Sequence, residues 1–186
     1  DSADEKELSS LGGKDNLLKL MLEAAEATCD FYMENTPVDG IPYWDAGAPG
    51  LEKMGDYPGK PADPFNDFEP VDSSAAAIAS QGLLRLGHYL TGKGNTHAGE
   101  KYWLAGLRVL NTLLDKPYLS TDEEHQGLLL HSVYHRPNGW DHIPAGSRIP
   151  YGESSMWGDY HIREACLYLQ RIIKGENYYT YFNFIK

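Results

Sequence analysis

Little in this sequence could cross-link the chain or carry it through a membrane. It has two cysteines in 186 residues, Cys29 and Cys166. Both fall within apolar helical patterns, so they read as buried thiols rather than a disulfide, and the redox compartment stays open. Long apolar runs are missing too. The longest are a few residues, as in Leu128-Leu129-Leu130, and mean hydropathy is −0.49. No segment is fit to span a bilayer, and no membrane partner is expected. Basic residues are scarce: 16 Lys and Arg stand against 27 Asp and Glu, a net charge of −11. Such a field repels phosphate, so no nucleic-acid partner is expected either. No G-x-S-x-G, P-loop or dinucleotide fingerprint is present, which leaves esterase, kinase and dehydrogenase readings without support. H-E-x-x-H is absent. His131 and His135 have one-face spacing for a helix, but their segment LLLHSVYH reads as extended, so neither a metal site nor a cofactor is expected.

What is there is an ordinary globular composition, 41% apolar and 23% charged. The length suits one domain with a real core. The chain starts at Asp1 with no basic region or apolar core of a secretory leader behind it, so it reads as a processed chain or a piece of a longer protein.

Residues 1–14 read as a polar lead-in, and 15–186 as one helical domain. The first helix is expected over 15–35, with Leu17, Met21, Ala24, Ala25 and Thr28 as its stripe and Phe31 and Tyr32 continuing it. Thr36-Pro37 stops it. Residues 36–71 hold seven of the eleven prolines and must be loop. Asp72 then caps a helix over 72–91. Ala76, Ala79, Leu83, Leu86 and Leu90 form one stripe there, and Ala75, Ile78 and Gly82 a second. So many small residues call for close neighbours on several sides. A short turn leads to a helix over 97–115, with Leu104, Leu107, Leu110 and Leu114 on one face. Residues 116–158 form a second long loop, in which LLLHSVYH is the one candidate strand. The last helix is expected over 159–174, carrying Ile162, Ala165, Cys166 and Leu169, with Asp159 as its N-cap. The aromatic tail ENYYTYFNFIK needs a surface to pack on.

Helices that alternate in direction would bring both long loops to one end. Three of the four tryptophans, Trp44, Trp140 and Trp157, lie on those loops. Tyr43, Tyr151, His125, His131, His135, His142, Arg136 and Arg148 lie there too. Indole and phenol rings beside Arg, His and Asp suit a sugar, whose apolar face stacks while its hydroxyls find polar partners. Arg136 and Arg148 could hold an anionic sugar, or could pair with Asp141 or Glu153. Glycoside chemistry needs two carboxyl groups around one centre. Asp45, Asp56, Asp63, Asp67, Asp72, Asp141, Glu153 and Asp159 all fall near the loop end, and nothing singles out a pair. N-capping is the first expectation for Asp72 and Asp159.

Four strings in order carry a family resemblance: YWDAGAPG, PVDSSAAAIASQGLLRLG, GLLLHSVYHRP and YGESSMWGDYHIREACLYL. Over roughly 34–171 the chain resembles the C-terminal half of the unsaturated glucuronyl hydrolases, glycoside hydrolase family 88. The resemblance implies an all-α fold, part of an (α/α)6 barrel of six-hairpin type. It implies hydrolysis of oligosaccharides ending in the unsaturated uronic acid left by polysaccharide lyases, through acid–base hydration of the C4–C5 double bond. The family's catalytic aspartates lie in its N-terminal half, and their motifs and the W-A-R-G-Q-A-W string have no match here. No catalytic residue is therefore assigned. Trp44, Tyr151 and Trp157 are expected at the sugar by position, with His131 and Arg148 as further contributors. The expected partners are the unsaturated oligosaccharide and, for a half barrel, either a second copy or the rest of the barrel. The alternatives are a non-catalytic carbohydrate-binding module and a rhamnogalacturonyl hydrolase-like six-hairpin enzyme.

Overall fold

The computed structural model describes residues 8–177. Residues 1–7 of the expected lead-in and most of the aromatic tail lie outside the described residues. Four helices carry the fold: α1 (Lys14–Glu34), α2 (Ser73–Gly92), α3 (Thr96–Leu113) and α4 (Met156–Ile173). Short 3-10 turns at Ser9–Leu11, Leu51–Met54 and Arg136–Asn138 punctuate the connections. Among the described residues there is no strand, only isolated antiparallel bridges Tyr43–Val71 and Leu119–Leu129. The extended run expected from LLLHSVYH breaks at His131, whose φ is +68°.

The α2–α3 hairpin is the centre of the core, because glycines let its two backbones approach. A Cβ on Gly87 would lie 2.6 Å from the Trp103 nitrogen, and one on Gly106 would lie 2.9 Å from Leu84 Cγ. Leu83, Leu84 and Leu113 are sealed inside, with Ile41 and Leu129 reaching in from the loops. Full burial of each is worth about 1.5–3 kcal/mol. The first α2 stripe is buried as its spacing predicts, with Ala79 half-covered. The second stripe is open: Ile78 is 46% exposed, and Gly82 has empty space beside it.

Two stripes are rotated from their expected positions. On α1 no residue is fully buried, and Met21 is 60% exposed. Leu22, Ala25, Cys29, Tyr32 and Met33 make its contact with the core. Tyr32 Oη donates to the Gly40 carbonyl at 2.6 Å, and Lys101 Nζ reaches Asp30 at 2.7 Å. On α3 the inward face is Gly99, Tyr102, Gly106, Val109, Leu110 and Leu113, while Leu104 is 62% exposed. Leucine count misled here, because glycine and tyrosine fit a close helix crossing better. Both cysteines are free and half-buried, and burial pushes their thiols up.

The fourth helix begins earlier than expected. Ser155, not Asp159, is its N-cap, its Oγ accepting from Gly158 N at 3.1 Å. Asp159 sits in the first turn and turns its carboxylate to the loop, where Leu128 N and Leu129 N donate to it at 2.9–3.0 Å.

Candidate functional site

Both long loops bond to the start of α2. Asp72 is the joint. Its N–H donates to the Pro42 carbonyl at 2.9 Å, on the first loop. Its Oδ1 accepts from Ser74 N, Ser74 Oγ and Ala75 N, which makes it the N-cap that the sequence predicts. The same oxygen takes Val133 N at 3.4 Å, on the second loop. Burial pushes the carboxyl up, and these donors pull the other way. One residue further, Ser73 N donates to the His131 carbonyl at 3.1 Å.

Aromatic rings gather around this joint. Trp157, in the first turn of α4, donates its indole N–H to Ser74 Oγ at 3.0 Å. Its ring lies 5.3 Å from that of Tyr134 at a 31° tilt. Trp44 follows the bridge residue Tyr43, and its indole donates to Glu69 Oε2 at 2.7 Å. Glu69 is buried, and its other oxygen accepts from Gly50 N. Trp44, Thr28, Phe31, Ala75 and Ile78 help line an open apolar groove of about 490 Å³ between α1 and α2. Tyr151 packs edge-on against Phe65 at 5.1 Å, joining the second loop to the first.

His131 holds this junction from inside. It is 4% exposed, with Phe65 and Tyr118 edge-on to its ring at 5.2 and 5.8 Å. Its Nδ1 accepts from Gly152 N at 3.1 Å, so the proton sits on Nε2. Burial pulls its pKa down to about 4, opposed by a hydrogen bond to the Pro117 carbonyl. In this chain His131 is thus an interior residue, bonded to the segment that carries Tyr151.

Trp44 and Trp157 each lie beside the first turn of α2, and Tyr151 packs on Phe65. Arg148 is exposed on the loop after Gly146. Among the described residues neither Arg136 nor Arg148 forms an ion pair with Asp141 or Glu153. Those carboxylates serve backbone amides instead: Asp141 accepts from Tyr134 N and from His135 N, and Glu153 from His142 N. Asp45, Asp56 and Asp63 likewise accept from Gly47 N, Gly59 N and Phe65 N. Long loops without strands leave amides unpaired, and short acidic side chains satisfy them. Glu69, Phe65 and Tyr134 escaped the sequence reading. Glu69 acts on partners 19 and 25 positions away, for which no local signal exists.

No protein-family model matches the chain. Over 154 residues it is 33% identical to the unsaturated glucuronyl hydrolase of Formosa agariphila, covering 82% of this chain and 31% of that protein. The enzyme of the same name from Bacillus sp. GL1 is 26% identical over 156 residues, 83% of this chain and 34% of its own length. The chain is homologous to about a third of an unsaturated glucuronyl hydrolase. Solved unsaturated glucuronyl hydrolases carry the same fold. The Bacillus sp. GL1 enzyme, described as responsible for the degradation of glycosaminoglycan, superimposes with a TM-score of 0.60 at 26% identity, over 89% of this chain and 36% of that one. An unsaturated glucuronyl hydrolase specific for heparin gives 0.60 at 27% identity, over 87% and 36%. A further one carries the oligosaccharide dGlcA-Glc-Rha-Glc. These enzymes are six-hairpin α/α barrels, and the four helices here are part of that fold.

Proposed function

We propose that this chain supplies part of the sugar-binding end of a glycoside hydrolase that acts on oligosaccharides ending in an unsaturated uronic acid. The observation that carries the reading is the bond from Trp157, at the start of α4, to Ser74 in the first turn of α2, with Trp44 beside Ala75 in the α1–α2 groove and Tyr151 packed on Phe65. Trp157 offers the stacking surface, Tyr151 and Trp44 flank it, and His131 keeps the Tyr151 segment in place. Arg136 and Arg148, unpaired with the neighbouring carboxylates, supply the cations that a uronate needs in a chain of net charge −11. By the family's chemistry, the reaction is hydration of the C4–C5 double bond, followed by ring opening and loss of the glycosidic link.

The acid–base groups belong, in this reading, to a part of the barrel other than these helices, with 15–186 forming the C-terminal portion of the domain. Its support is the occupation of the local carboxylates. Asp72, Asp141 and Asp159 each accept two or more backbone N–H groups, which fixes them as structural acceptors. The test has two arms. The purified chain should bind an unsaturated uronyl disaccharide with a change in tryptophan fluorescence, yet leave the absorbance of the conjugated double bond constant. Turnover by the chain alone overturns the placement of the acid–base groups elsewhere. Absence of any fluorescence change overturns the binding role.

The occupied carboxylates also favour a second reading, a carbohydrate-binding module without catalysis. Co-expression with the N-terminal portion of a related hydrolase separates the two, since only the first reading gains turnover.

A further inference from the structure

The second loop carries an aromatic surface that the site above does not use. Trp140 is 61% exposed and Tyr134 57%, on a molecule whose other tryptophans are at least half-covered. Their rings lie 5.9 Å apart at a 33° tilt, and Tyr134 lies in turn 5.3 Å from Trp157 at 31°. Three rings therefore form one gently fanned row, running from the Ser74-anchored indole outward to Trp140.

The outer end of that row is built rather than accidental. A 3-10 turn at Arg136–Asn138 reverses the chain, with His135 Nδ1 accepting from Asn138 N at 3.2 Å. Gly139 follows at φ +64°, a conformation that glycine adopts without steric cost, and the chain returns Trp140 over His135 with ring centres 4.9 Å apart. Buried Asp141 then clamps the hairpin by accepting from both Tyr134 N and His135 N. Each of these bonds fixes the platform before any ligand arrives, so little ordering entropy remains to be lost on binding.

We propose that Trp140, with Tyr134 beside it, is an outer stacking platform for a neutral pyranose ring, one or more units out from the unsaturated uronate. The proposal rests on the sugar-binding reading above. The rings suit a sugar because the patch is aromatic and its hairpin carries polar His135 and Arg136 beside the rings. It is also continuous with the Trp157 floor, as an oligosaccharide running outward requires. Stacking on one ring is worth a few-fold to about tenfold in affinity.

The experiment titrates the 186-residue chain with three probes: the disaccharide dGlcA-Glc, the tetrasaccharide dGlcA-Glc-Rha-Glc and neutral cellotetraose. The chain should bind the tetrasaccharide about fivefold more tightly than the disaccharide. Trp140→Ala should erase that difference while leaving disaccharide binding within twofold, and Trp140→Phe should keep most of it. Equal loss for both unsaturated sugars, or no loss for either, overturns the platform. If neither unsaturated sugar binds but cellotetraose binds in a Trp140-dependent way, the uronate reading fails and the platform stands. If no sugar binds and Trp140→Ala instead weakens self-association, the patch is a contact between copies and the proposal is overturned.

Discussion

The Trp157 indole N–H meets the Ser74 hydroxyl at 3.0 Å, joining residues 83 positions apart in the chain. The hydroxyl in turn donates a hydrogen bond to Asp72 Oδ1 at 2.6 Å, so one serine both accepts from α4 and donates into the α2 cap. The first turns of α2 and α4 are thereby locked to each other.

Removing that hydroxyl tests the lock. Ser74→Ala leaves the buried side of Trp157 without an acceptor and takes one donor from Asp72. We expect a loss of about 1–2 kcal/mol in urea unfolding, with red-shifted tryptophan emission. An unchanged midpoint and spectrum would mean the bond contributes nothing.

The neutral state of His131 gives a pH dependence of known sign. Its pKa falls from 6.5 unfolded to about 4 folded. Between these values the unfolded chain binds more protons, so this contribution to stability is complete above pH 6.5 and is lost as pH falls towards 4, by up to about 1.4 kcal/mol per pH unit. His131→Asn tolerates the positive φ and removes the titration. Its stability profile should be flatter between pH 6.5 and 4 than that of the parent. Asp39 and Asp72, raised by burial, act with opposite sign in both proteins and cancel in the comparison. Parallel profiles would contradict the assignment.

Two glycines of α2 should respond in opposite directions to alanine. At Gly87 a methyl meets the backbone of α3, and we expect a cost of about 1–3 kcal/mol. At Gly82 it meets open space, and helix propensity alone should stabilise the fold by about 0.5–1 kcal/mol. Thermal unfolding of the two variants reads both signs.

Exposed apolar residues lie on two sides of the bundle. Leu20, Met21, Phe31 and Ile78 lie on α1 and α2, and Leu104 and Leu114 at the α3 end. Sedimentation should show self-association of the chain that weakens in Met21→Lys or Leu104→Lys. A monomer at all concentrations would show these faces to be ordinary surface.

The helices, their order and the gathering of the loops at one end were legible because each rests on a local signal: Asp72 before three alanines, Pro37 after α1, prolines crowded into 36–71. What stayed hidden depended on distant partners. The α3 face could not be read from its leucines, since Gly87 and Gly99 decide which side of the helix fits close. The cap of α4 was misplaced because Asp159 satisfies amides 30 and 31 residues away, a job with no mark in the neighbouring sequence. Trp44, Tyr151 and Trp157 stand out as aromatics within the family strings, although Trp157 belongs to the first turn of α4 rather than to the loop. The burial of His131 was not legible, because Phe65 and Tyr118 reach it from remote segments.

Asp72 holds Pro42 of one loop through its own N–H and Val133 of the other through its carboxylate. The two loops are thus one cooperative opening unit rather than two independent ones. Amide hydrogens on both sides of the joint, such as those of Trp44 and Val133, should exchange with solvent at matched free energies. A lesion at residue 72 should release the pair together.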